Sequence, residues 1–126
     1  MFENQQQVIN TLLELDFDLD EKNLKEKVHF CIFGGTAFLF FSQRFRATSD
    51  IDVLFLNKVM NNDVIKIFNE YDINNQMQGI VGVPEDYMNR AYELSGFKNL
   101  KVFVAHPIDL VISKLIRGDM RDATDV

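Results

Sequence analysis

One cysteine, two prolines, six glycines and no tryptophan stand among the 126 residues. The lone thiol, Cys31, rules out a disulfide scaffold, and its place in an apolar run is where a free thiol acts as a small hydrophobe. Positive charge is also scarce: 13 Lys and Arg against 19 Asp and Glu leave a net charge of −6, which excludes a general electrostatic footprint for nucleic acid or an anionic membrane. Any polyanionic substrate must be met locally, by a few placed cations or a metal ion. Long apolar runs are missing as well. Stretches such as residues 37–41 fall far below the roughly 18 residues of a membrane helix. The first seven residues have neither the basic start nor the apolar stretch of a signal peptide, so the expectation is a cytoplasmic protein with a reduced thiol and no membrane partner. What is present is an ordinary globular composition, 47% hydrophobic and 25% charged, with 12 Phe and 3 Tyr. So many aromatics exclude a disordered or collagen-like chain, and the length suits one domain over 1–126.

Periodicity predicts an amphipathic helix over 5–15, then a loop with a short surface helix over 16–26. Residues 28–33 read as a strand stopped by Gly34 and Gly35, residues 36–43 as a buried helix, and 44–49 as a polar connection. The run 50–56 becomes wholly apolar, as a central strand does, and 59–71 has helical spacing. Further on, the pattern suggests a short strand over 77–83, a helix over 84–95 opened by Pro84, a strand over 100–105 and a helix over 107–117 opened by Pro107. Gly118 either ends that last helix or lies within it. The order is that of an α/β or α+β domain with a small mixed sheet flanked by helices.

Three groups of residues can carry chemistry. Asp50 and Asp52 head a strand, where alternation sends both carboxylates to one face while Ile51 points to the other. Paired carboxylates repel one another unless a cation lies between them, and Mg²⁺ favours one or two carboxylates completed by phosphates and water. Alone, Asp-x-Asp is more often a solvated strand start. The buried strand behind it fixes the pair to a rigid element, as a preorganised site requires. The second group, Gly34, Gly35 and Thr36, forms a strand-to-helix turn at which backbone can approach a ligand and helix N–H groups favour an anion. Without a Walker lysine or the G-x-G-x-x-G spacing it is a weak signal, and taken alone it is better explained as a turn needing positive φ. The third is the tail from Lys114 to Asp125. A helix continuing past Gly118 brings 114, 118, 121, 122 and 125 to one face, and Lys114 among apolar neighbours either snorkels or serves a phosphate. His29 and His106 lack partners at zinc spacing, and no serine has a nucleophile-elbow context.

Taken together, Gly34-Gly35-Thr36-Ala37 followed by Arg46, Thr48, Asp50 and Asp52 resembles the DNA polymerase β-like minimal nucleotidyltransferases. The tail of Pro107, Asp109, Leu110, Lys114, Leu115 and Arg117, then Arg121, Asp122 and Asp125, is similar to the branch holding the AbiEii-type abortive-infection toxins and related bacterial proteins. The resemblance implies a nucleotidyltransferase fold and transfer of a nucleotide from an NTP to a hydroxyl, phosphate or RNA acceptor such as tRNA, or to a protein. It implies Mg²⁺ on Asp50 and Asp52, phosphate contacts from Gly34, Gly35, Thr36, Arg46, Lys114 and Arg121, and Asp122 as a further catalytic carboxylate. An antitoxin protein is the implied partner in a toxin–antitoxin pair. Many members of the fold carry a third carboxylate on a later strand. Neither 78–83 nor 101–105 offers one, although Glu85 and Asp86 follow the first. The chain ends just after Asp125, where the relatives continue into helices, so the expectation is a minimal form short of acceptor-binding surface or one needing a partner. The alternative function is a nucleotidyltransferase-fold protein without turnover that binds a nucleotide or a protein.

Overall fold

The structure, a computed structural model, describes residues 2–42, 50–58, 62–75 and 84–121, with the side chains of 114 and 116–121 outside that description. Among the described residues, four α-helices and five strands follow one another as α1 (Gln5–Leu19), β1 (Val28–Phe33), α2 (Gly34–Phe38), β2 (Ile51–Phe55), α3 (Asn62–Glu70), β3 (Ile73–Asn74), β4 (Tyr92–Leu94), β5 (Leu100–Val104) and α4 (Pro107–Arg121). The strands form one mixed sheet in the order β3-β2-β1-β5-β4. β1 is antiparallel to β2 and parallel to β5, β2 is parallel to β3, and β4 is antiparallel to β5.

Alternation along β1 divides the core into two layers. Phe30 meets Phe68 of α3 and Phe55 of β2 edge-on, with centroids 5.6 and 6.4 Å apart, so α3 and the α1 helix beside it cover one face. On the other face lie Cys31 and Phe33, the latter edge-on to Tyr87 at 5.4 Å. α4, which packs against α2, belongs to that second layer, and the charge of its buried Asp109 reaches Cys31.

Several boundaries differ from the sequence expectation, each for a local reason. α1 continues to Leu19 because Asp16 is buried rather than solvated: its carboxylate accepts from the Lys98 and Asn99 N–H groups at 2.8 and 2.6 Å. α2 is shorter than the predicted 36–43 helix, ending at Phe38 and running on as turns to Phe41. The helix over 84–95 is a correction. Pro84 and its acidic neighbours open only a single 3-10 turn, Tyr87–Asn89, and Tyr92–Leu94 then pairs with β5. Sheet pairing overrides the local helix signal there. The predicted strand over 77–83 lies outside the described residues, while a two-residue strand forms at Ile73–Asn74. Gly118 lies within α4, which extends to Arg121.

Candidate active site

β1 and β5 finish, and β2, β3 and β4 begin, at one end of this sheet. Phe33 closes β1 and pairs with Asp52 near the start of β2, so the glycine turn emerges beside the Asp-x-Asp segment. Gly34 has φ +69°, a conformation L side chains rarely adopt. A Cβ built on it would lie 2.8 Å from Asp52 Oδ2. Glycine is therefore needed twice at this position, for its backbone angle and for the carboxylate resting against it. The Thr36 hydroxyl donates to the Asp50 carbonyl at 2.6 Å, and the Ile51 N–H donates to the Asp72 carbonyl at 2.8 Å. Both hydrogen bonds clamp the main chain that carries the acidic pair. Asp50 is exposed and lies just before β2, whereas Asp52 is half-buried within it.

Gly34, Thr36, Asp50 and Asp52 are thus brought together, with Gly35 next in α2. Lys114 lies two turns into α4, the helix packed on α2, and Arg121 is its last residue. Arg46 and Asp122 fall outside the described residues. Among the described residues, no group of three or more His, Cys, Asp or Glu gathers as a metal cluster. The hard oxygen donors of Asp50 and Asp52 suit a cation that takes few protein ligands and keeps water or phosphate for the rest, which is the habit of Mg²⁺ rather than Ca²⁺ or Zn²⁺.

Residues 10–126 match the family model DUF6036, described as a nucleotidyltransferase of unknown function. The chain belongs to that nucleotidyltransferase family. Comparison with the curated proteins and with the solved structures gives no match. Among the described residues, no helix is long and apolar enough to cross a membrane.

Sequence reasoning misses two features of the described residues. Asn74 of β3 is in register with Asp52, on the same face of the sheet, so an amide stands beside the carboxylate. Only the pairing of a two-residue strand reveals it. The other is a buried ionic latch. Asp109, fully buried in the first turn of α4, receives Arg90 Nε and a second guanidinium nitrogen at 3.0 and 2.6 Å, and Arg90 also grips Asp86 at 2.9 and 3.0 Å. These carboxylates raise the Arg90 pKa further, and Arg90 in turn lowers that of Asp86. Burial first, and the Asp109 charge second, push the Cys31 thiol up to about 12. Its thiolate is thereby suppressed, which removes it from nucleophilic chemistry.

Proposed function

We propose that the protein is a Mg²⁺-dependent nucleotidyltransferase that moves a nucleotide from an NTP to a hydroxyl, phosphate or RNA acceptor. The single observation that carries this reading is the Asp52 carboxylate seated against Gly34, 2.8 Å from where a side chain would begin. A turn needing only positive φ has no reason to hold a carboxylate there, whereas a site joining acid-held cation to phosphate does.

In this reading Asp50 and Asp52 hold the cation, which supplies charge neutralisation to the triphosphate and to the leaving pyrophosphate. Gly34 and Gly35 admit the phosphates close to backbone. α2 has only five residues, so its dipole adds little, and positive side chains have to provide the remaining neutralisation. Lys114, Arg46 and Arg121 are the candidates, with Asp122 as the further carboxylate accepting the proton of the attacking hydroxyl. The tail's resemblance to AbiEii-type toxins favours tRNA as acceptor and an antitoxin as protein partner.

Asn74 beside Asp52 supports a second reading, nucleotide binding without turnover, since an amide cannot take the proton of an attacking hydroxyl as a carboxylate does. One experiment separates the two. Incubation with each labelled NTP, Mg²⁺ and total tRNA is expected to give labelled RNA, lost in Asp50→Asn/Asp52→Asn. Tight Mg·NTP binding with no labelled product from any acceptor supports the second reading instead.

A further inference from the structure

α1 carries apolar side chains on more than its buried face. Val8, Leu12, Leu15 and Leu19 are fully buried and dock the helix on the core. Leu13 and Phe17, four residues apart, lie outside that face. They are 45% and 79% exposed, and neither belongs to the buried cluster or to the partly buried residues packed on it. Core packing thus does not account for them. Beside them stands Tyr71, just after α3, whose hydroxyl donates to the Asp18 carboxylate of α1. Leu13, Glu14, Phe17, Asp18 and Tyr71 together line an open groove of about 320 Å³. Single exposed apolar residues are ordinary on a protein surface, whereas aromatic rings gathered in one groove are what interface cores are rich in.

Charge around the groove decides what fits it. Glu14 and Asp18 line it, Glu70 immediately precedes Tyr71, and the charges that reach the Tyr71 hydroxyl are those of these three carboxylates, all negative. A second copy seated here through the same groove would bring like carboxylates together, between two chains each of net charge −6. Nucleic acid and anionic lipid are repelled in the same way. A Lys or Arg of a partner protein instead meets opposite charge, and its aliphatic stem can lie over the Phe17 ring. Leu13 and Phe17 are spaced by about 6 Å along the axis of α1, close to one helical turn. An incoming helix with apolar side chains at i and i+3 or i+4 therefore sets one against each. α1 and α3 cover the Phe30 face of the sheet, whereas Asp52 pairs with Phe33 on the other face, so the groove and the Asp52 corner belong to different layers.

We propose that the groove of Leu13, Phe17 and Tyr71 is the docking site for a basic amphipathic helix of a protein partner, its apolar side chains on Leu13 and Phe17 and its Lys or Arg paired with Glu14 and Asp18. The assignment stands whether or not the Asp52 corner transfers nucleotides. The probe is a fluorescent helical peptide of Leu, Lys and Ala, about 18 residues long with its leucines on one face, titrated into the intact protein by anisotropy. A second peptide carries Glu in place of every Lys. Wild type is expected to bind the lysine peptide and not the glutamate one. Phe17→Gln, which leaves net charge unchanged, is expected to weaken lysine-peptide binding about tenfold or more. Glu14→Gln is expected to weaken it severalfold at low salt, and Glu93→Gln, an equal charge change on β4, is expected to leave it as in wild type. Thermal melts confirm that each variant folds. The proposal is overturned by equal affinity of Phe17→Gln and wild type, by equal losses in Glu14→Gln and Glu93→Gln, or by no binding of the lysine peptide. Sedimentation showing a wild-type dimer that Phe17→Gln returns to monomer assigns the groove to a second copy and overturns the basic partner.

Discussion

At Gly34 two independent constraints meet on one residue. Alanine there must adopt φ +69° and place its methyl 2.8 Å from Asp52 Oδ2. The backbone term costs roughly 1–2 kcal/mol and the contact adds more, because the carboxylate can only leave by moving off the glycine. Gly34→Ala is therefore expected to lower stability by about 2 kcal/mol in urea unfolding and to remove Mg·NTP binding together. Cys31 gives a contrasting residue-scale test. With its thiol pushed up to about 12 by burial and by Asp109, native protein at pH 8 is expected to resist a thiol reagent that labels the unfolded chain within minutes. Rapid native labelling would contradict the burial.

Elements are held to one another by a few polar ties, and each tie has its own pH or mutational signature. The Tyr71 hydroxyl just after α3 donates to the Asp18 carboxylate of α1. That hydrogen bond, with burial and the charges of Asp18, Glu14 and Glu70, raises the Tyr71 pKa from 10.0 to about 12. Since the folded value lies above the unfolded one, the tie's stabilisation is complete below pH 10 and disappears as pH rises through about 12. Tyr71→Phe should accordingly melt earlier than wild type at pH 8, with the gap closing above pH 12. The Arg90–Asp109 latch joins the turn before β4 to the first turn of α4. Asp109→Ala, which strips a fully buried carboxylate of its role and leaves Arg90 reaching inward, is expected to destabilise by about 3 kcal/mol, against a small effect from exposed Asp86→Ala. Comparable effects of the two in chemical denaturation would show that the latch is no stronger than a surface pair. These ties also explain which elements could be read from sequence. β1, β2 and β5 are rich in β-branched and aromatic residues, broken only by His29, Asp52 and Lys101, and each buries most of at least one face, which leaves a strong signal; Pro107 with Asp109 marks the start of α4. β4 carries the exposed Tyr92 and Glu93, so nothing local distinguishes it from a helix. It exists because β5 offers an edge and Arg90 pins the preceding turn.

On the scale of the whole molecule, the sheet's topology collects at one end what the sequence spreads from Gly34 to His106. The glycine turn and the acidic pair were legible because their spacing is local, and a strand pairing closes it. Asn74 was not, because only the pairing of β3 with β2 brings it beside Asp52. The same whole-molecule view decides how the corner meets a polyanion. A protein with net charge −6 and two carboxylates at the site repels a triphosphate at long range as well as at contact. No few side-chain cations can replace a divalent ion placed between carboxylate and phosphate, since the ion cancels both charges at the shortest distance. NTP binding is therefore expected to be strongly Mg²⁺-dependent, measured by calorimetry with a non-hydrolysable NTP with and without the metal. Asp50→Asn should remove most of that dependence by weakening the ion's seat. Asp50→Asn/Asp52→Asn should abolish transfer while changing stability by no more than about 0.5 kcal/mol, because losing the mutual repulsion offsets any lost hydrogen bonding. Raising ionic strength separates the two scales. Screening over about 8–10 Å weakens the long-range repulsion and leaves the contact term nearly intact, so metal-free binding should improve with salt while the Mg²⁺ requirement persists. Equal affinity with and without Mg²⁺ at every ionic strength would exclude Asp50 and Asp52 as the seat of the cation.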